Sequence, residues 1–226
     1  MVIRLLGGVA VYLQSPPGGP LLPRPINDID VVAKRGARTA VTGVLVGAGY
    51  TPDEMFNALH GSRRLLFFDE EHGRKLDVFV GQFVMCHQVP VADRLEREAL
   101  TVPLAELLTT KLQIVELTER DQRDIYNLVY HHEVTAGGGL GIEADYIGEL
   151  CARDWGLWRT AKATIARCKE NLAEYKLDVS ATHLILERLD MLWARIEATT
   201  KTAKWRLRSR VGDRVRWYDE PEENPQ

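Results

Sequence analysis

Three aspartates in two short apolar runs carry most of the chemistry this chain can offer. Asp28-Ile29-Asp30-Val31-Val32 sets two acids two residues apart in a run that reads as a strand. Both carboxylates then project from one face, with Ile29 on the other. Like charges held that close repel, and a divalent cation is the simplest way to keep both ionised. Magnesium favours such oxygen ligands together with substrate phosphates. Lys75-Leu76-Asp77-Val78-Phe79-Val80 places a third acid within an apolar strand, where a lone carboxylate is costly. With the two strands side by side, Asp28, Asp30 and Asp77 form a triad with the capacity to hold two magnesium ions. Asp77 is then also placed to accept a proton from an attacking hydroxyl. Each part alone is commonplace, since an Asp-x-Asp pair often serves a turn or a cap. The combination is much rarer.

Gly7-Gly8 lies where a strand passes into a helix, a junction that lets backbone approach a phosphate closely. Lys111 falls, at about 100° per residue, in the middle of the apolar arc of Leu104, Leu107, Leu108, Leu112 and Val115. It either snorkels to solvent or directs its charge to a triphosphate. Asp121 shares a face with Ile125, Leu128 and Val129, and Asp124 lies beside it; they orient Lys111 or cap their helix.

The elements that position these residues follow from period and punctuation. Val2–Leu6 reads as a strand and Val9–Leu13 as the helix after the Gly-Gly turn. Ser15–Asn27, with five prolines and two glycines, reads as a loop. A strand over 28–32 leads to a helix over 38–47. Strands over 63–68 and 75–80 flank a hairpin at 69–73, and 81–91 adds one short strand. From Leu104 the period is helical, which predicts helices at 104–117, 119–132, 142–153, 155–175 and 180–207. The expected architecture is α+β: a small mixed sheet with flanking helices over 1–100, a helical region over 101–218, and a frayed acidic tail over 219–226.

At 226 residues and 45% apolar composition the chain can bury a substantial core. No apolar stretch approaches the ~18 residues of a membrane helix, and no export signal is apparent, so no membrane partner is expected. Cys86, Cys151 and Cys168 are far apart and form no CxxC pair, which suits a reducing cytoplasm. Cys86-His87 and His131-His132 lack a second ligand pair, and Trp155, Trp158 and Trp193 follow core periodicity. Lys201–Arg216 holds seven Lys or Arg against one acid, Asp213, in a chain of net charge −3. With Trp205 and Trp217 interleaved, that composition suits RNA phosphates and base stacking, although charge runs are more often solvated faces.

Taken in order, Gly7-Gly8, Asp28-Ile29-Asp30-Val31 and Asp77 resemble the signature of the DNA polymerase β-like nucleotidyltransferases. Leu107-Leu108-Thr109-Thr110-Lys111-Leu112 and Arg120-Asp121-Gln122-Arg123-Asp124-Ile125 resemble the branch containing AbiEii-type bacterial toxins. The interval from Gly8 to Asp28 is longer than is usual in that family. The resemblance implies magnesium-dependent transfer of a nucleotide monophosphate from a nucleoside triphosphate to an acceptor hydroxyl. Asp28, Asp30 and Asp77 would bind the metals, and Gly7, Gly8 and Lys111 the phosphates. The implied acceptor is tRNA or another RNA, with a protein hydroxyl or a small molecule such as an aminoglycoside as alternatives, and a cognate antitoxin is an implied partner. A catalytically silent RNA- or protein-binding module on the same fold is the competing expectation.

Overall fold

The computed structural model describes residues 1–220, and the fold grows from one sheet whose two faces differ in kind. Strands β1 (Ile3–Leu6), β2 (Asp28–Ala33), β3 (Thr51–Pro52), β4 (Arg64–Asp69) and β5 (Arg74–Val80) lie in the order β1-β2-β5-β4-β3. Only β2 and β5 run parallel, which makes the sheet mixed. Side chains alternate, so Ile29, Val31, Leu65, Phe67, Leu76 and Val78 share one face. There α2 (Arg38–Gly47) packs, with Val41 fully buried.

The opposite face carries Leu6, Val32 and Phe79 together with the acids. It is covered by α1 (Gly7–Leu13) and by the helices after residue 104, in one continuous core. Chain segment 100–102 runs along the free edge of β1, where Leu5 N–H donates to the Leu100 carbonyl at 2.8 Å. The other edge is finished by α3 (Glu54–His60). The buried Asn57 amide there hydrogen-bonds both the N–H and the carbonyl of Leu66, at 2.7 and 3.0 Å, as a further strand would. Strands β6 (Phe83–Val84) and β7 (Gln88–Val89) form a hairpin where one short strand is expected.

Central to the helical region is α4 (Leu104–Leu112), every residue of which is buried except Lys111. Its Glu106 is fully buried and takes a two-pronged bond from Arg94, at 2.6 and 2.7 Å, which ties the 94–97 turn to the helix. A charge so deep is tolerated because it is paired. Helix α5 (Glu119–His131) opens with a capping box between Thr118 and Asp121. A short parallel pair, β8 (Val134–Thr135) and β9 (Ile142–Glu143), precedes α6 (Ala144–Arg153), α7 (Trp155–Asn171), α8 (Val179–Ala198) and α9 (Ala203–Val211).

Three expected helices end differently. The first stops at Leu112 instead of 117, where the buried Gln113 side chain accepts from His87 N–H and the Ile114 carbonyl accepts from the Thr164 hydroxyl. The segment 155–175 tightens to a 3₁₀ turn after Asn171 and closes on Lys176 at φ 51°. The expected 180–207 helix is two helices. Thr199 is extended and Thr202 caps α9, and Thr202 binds the Ala152 carbonyl through both its N–H and its hydroxyl. The tail is anchored further than expected: Trp217 Nε1 donates to Thr160 Oγ1 at 3.0 Å and Asp219 N–H donates to the Cys86 carbonyl at 3.0 Å. The rest of the expected tail, 221–226, lies outside the described residues.

Candidate functional site

The parallel pairing of β2 with β5 sets the register of the acids: Asp30 stands opposite Asp77, and Asp28 opposite Lys75. Antiparallel β1 places Leu6 opposite Asp30, so the chain leaves the sheet beside that carboxylate and turns at Gly7. Gly7 has φ 63°, and a Cβ built there would collide with Asp30 Oδ2. Glycine is required twice over, for the left-handed backbone and for the contact.

The two strands treat their acids differently. Asp77 is buried and both its oxygens are engaged. Oδ1 accepts from Arg64 Nε at 2.8 Å and pairs with Nη2 at 2.8 Å, while Lys75 Nζ stands 3.2 Å from Oδ2. Arg64 is itself buried, its guanidinium 5.5 Å from the Phe56 ring centroid and 5.3 Å from that of Phe79. The expectation of Asp77 as an open metal ligand and proton acceptor therefore does not match this geometry; its lone pairs are taken by protein cations.

No hydrogen bond or ion pair among the described residues reaches the carboxylate of Asp28 or Asp30. Asp28 is exposed at the start of β2, and Asp30 lies at the back of a recess. Burial, and then the neighbouring charges of Asp28 and Asp77, raise the Asp30 carboxyl from 3.8 to about 7.

Lys111 enters the same recess from α4. Its Nζ lies 2.9 Å from Asp124 Oδ2 and 3.1 Å from Asp121 Oδ1. Burial works against its charge, but Asp124 and Asp121 outweigh burial and lift its pKa above the ordinary lysine value. Asp121 performs both roles open to it: Oδ1 meets Lys111 while Oδ2 accepts from Thr118 in the helix cap. Asp124 is also gripped by Arg24, whose Nε and Nη2 reach its two oxygens at 2.7 Å each. Despite its burial, these two cations hold the Asp124 carboxyl below the usual range.

Arg24 is the residue that the sequence reading missed. It is the single charge in the proline-rich segment 15–27, and that isolation was the available signal. Its guanidinium lies against the backbone of Gly8, where a Cβ would strike it, so both glycines of the pair make room for a charged group.

The recess, about 280 Å³ in volume, has a polar end of Gly7, Asp30, Lys111 and Asp121, and an apolar end of Leu6, Phe83, Met85, Cys86 and Ile114. Gly8, Asp28, Asp77 and Asp124 surround it without lining it. No group of three or more His, Cys, Asp or Glu side chains among the described residues stands ready to hold a metal ion. What fits a cation is the Asp28–Asp30 pair. Two hard oxygen donors on one strand face suit a single magnesium ion whose other ligands are water and phosphate. A second ion held by Asp77 would have to displace Lys75.

The remaining residues singled out by the sequence lie elsewhere. The three cysteines are free and buried. His131 and His132 bond backbone groups of the proline-rich segment and its approach, Leu21 N–H and the Gln14 carbonyl. All five tryptophans join one ring cluster, with Trp158 5.2 Å from Trp205 and Trp155 6.3 Å from Trp217. In the basic segment, Lys204, Arg206, Arg210 and Arg214 are exposed and have no partner among the described residues, whereas Arg208 packs inward on Trp155. No helix among the described residues is long and apolar enough to cross a membrane. Comparison with protein-family models, with curated proteins and with solved structures gives no match.

Proposed function

We propose that the chain is a magnesium-dependent nucleotidyltransferase of the polymerase β-like kind, moving a nucleotide monophosphate from a nucleoside triphosphate to an acceptor hydroxyl. One observation carries this reading. Around the recess Asp77, Asp121 and Asp124 each form an ion pair with a protein cation, whereas the exposed Asp28 and the partly buried Asp30 form none, and Asp30 lines the recess beside a close-packed Gly-Gly turn. Asp28 and Asp30 would hold magnesium, which supplies positive charge to the triphosphate and to the departing pyrophosphate.

The chain's own groups do the rest. Lys111, kept charged by Asp121 and Asp124, offers N–H donors to phosphate oxygens at the polar end. Gly7 lines the polar end, and the absence of a Cβ at Gly7 and Gly8 lets Asp30 and Arg24 close against the turn. Asp77, locked by Arg64 and Lys75, is a fixed negative neighbour that keeps the electron-rich face of β2 from accepting a second anion in place of the cation. The acceptor belongs to the helical side. The exposed cations Lys204, Arg206, Arg210 and Arg214 favour RNA over a small molecule.

Incubation with each α-labelled nucleoside triphosphate, magnesium and total RNA tests the proposal. Label should pass to RNA with the wild-type chain and be lost with Asp28→Asn or Lys111→Met. Wild type as inert as both variants with all four nucleotides, and with protein and aminoglycoside acceptors as well, would refute it.

A further inference from the structure

A second hollow lies beside the recess and shares Ile114 with it. It is about 200 Å³ in volume, and Ile114, Val115 and Ala163 line it together with Thr160 and Thr164. Both threonine hydroxyls are already engaged. Thr160 Oγ1 accepts from Trp217 Nε1 at 3.0 Å and lies 2.8 Å from His87 Nε2, and Thr164 Oγ1 donates to the Ile114 carbonyl at 3.1 Å. The hollow therefore offers shape, and no free hydroxyl with which to read a ligand's edge.

Its remaining walls are charged and aromatic. Arg159, Ala163 and Arg167 recur at every fourth residue of α7 and all line the hollow, which sets the two arginines about 12 Å apart along the helix axis with only a methyl group between them. Trp217 stands at the Arg159 end, its ring centroid 5.1 Å from that guanidinium. Arg159 shares its charge with Asp213, 3.0 Å away, whereas Arg167 is exposed and has no ion-pair or hydrogen-bond partner among the described residues. A ring backed by a guanidinium at one end, and an unpaired guanidinium at the other, suit a flat base that carries a phosphate.

The position of the hollow narrows the ligand further. On one side it adjoins the apolar end of the recess through Ile114, and on the other Arg159 leads through Asp213 to the exposed cations Arg210 and Arg214. We infer that the hollow takes a nucleotide of a single-stranded RNA acceptor, close behind the terminal hydroxyl that enters the recess, with its base beside Trp217 and its phosphate at Arg167. The inference rests on the nucleotidyltransferase reading and deepens it by naming the acceptor as a single-stranded RNA end. A base held in a duplex stack cannot enter such a hollow without being extruded. Stacking with no free hydroxyl nearby tolerates any base.

Fluorescence anisotropy of the full chain with a short labelled RNA, single-stranded or annealed to its complement, tests this without any nucleotide present. The single strand should bind at least about tenfold more tightly than the duplex. Ala163→Leu, an exposed and helix-compatible change that sets a branched side chain between the arginines, should weaken single-strand binding about tenfold and leave duplex binding as it was. Arg167→Glu should weaken single-strand binding by a similar factor, and that loss should shrink as salt rises. Neither variant should change calorimetric binding of the nucleoside triphosphates with magnesium. Equal binding of single strand and duplex, or wild-type affinity for the single strand in Ala163→Leu, overturns the hollow as the acceptor's site and leaves the nucleotidyltransferase reading standing. RNA binding that follows the expected pattern while none of the four nucleoside triphosphates binds with magnesium overturns the acceptor role together with that reading.

Discussion

Replacing Asp30 with asparagine should make the metal-free protein more stable above neutral pH while abolishing its activity. The Asp30 carboxyl is raised from 3.8 to about 7 by burial and by the charges of Asp28 and Asp77. That is about three pH units at about 1.36 kcal/mol each, or roughly 4 kcal/mol of destabilisation once the group is ionised in the fold. Because the folded value is the higher one, the folded chain holds an extra proton between about pH 4 and 7. The stability this proton carries is complete below the unfolded value and is lost as pH rises through about 7. Asparagine removes the charge but remains a polar group in the same recess, so recovery of about 1–3 kcal/mol is expected.

Urea unfolding of wild type and Asp30→Asn in EDTA, at pH 5 and pH 8, measures this directly. The variant should be the more stable by that amount at pH 8, and the gap should shrink markedly at pH 5. Magnesium added at pH 8 should stabilise the wild type and leave the variant unchanged, since an ion that binds only the folded wild type acts by mass action. An asparagine variant no more stable than wild type at pH 8, or a gap indifferent to pH, would mean that Asp30 is a satisfied structural carboxylate.

Gly7→Ala should cost about 2–4 kcal/mol, from a Cβ forced against Asp30 and a left-handed φ of 63°, and thermal unfolding at pH 5 and pH 8 reads it. Arg24→Gln leaves Asp124 buried with Lys111 as its remaining ion-pair partner and should cost about 2–3 kcal/mol in urea unfolding. Arg24→Gln with Asp124→Asn should recover part of that loss, which a double-mutant cycle reports. Trp217→Ala removes a half-buried ring from Trp155 and a bond to Thr160. A loss of about 2 kcal/mol is expected, together with faster tryptic cleavage after Arg214 or Arg216.

The sheet and its acids were legible because each side-chain pattern agreed with its backbone. The helix over 38–47 needed only its small apolar period and closing glycine, and alternation in 28–32 and 75–80 fixed which residues share a face. Adjacency of those strands was an assumption, and the parallel register supplies it. Helix α3 was hidden because its pattern is inverted: Met55 and Leu59 are 75% and 73% exposed while Asn57 is buried to finish the sheet edge. The break in 180–207 was hidden because Thr202, which bonds Ala152 and caps the next helix, looks, in sequence, like ordinary helix surface. The partners of the acids were invisible for a general reason. Arg24 with Asp124 and Arg64 with Asp77 are separated by 100 and 13 residues, and nothing local records a contact that the fold creates.

Charge allocation on the acid-bearing face bears on whether Asp28 and Asp30 are structural. Lys75 is the register partner of Asp28, and a structural carboxylate there would draw the nearest ammonium across the strand pair. Lys75 instead turns along its own strand to Asp77, which already has Arg64. Lys111, the cation whose charge bears on Asp30 most strongly, is likewise committed to Asp121 and Asp124. Two lysines within reach of the pair's charge are thus spent on acids that share their cations, while the pair itself keeps none. Electrostatics alone would favour an ion pair for Asp30, because an unpaired desolvated carboxylate loses more than a doubly paired one gains. The arrangement makes physical sense when the missing positive charge arrives from solution, and it places that charge beside the Gly7 backbone, where a phosphate can share it.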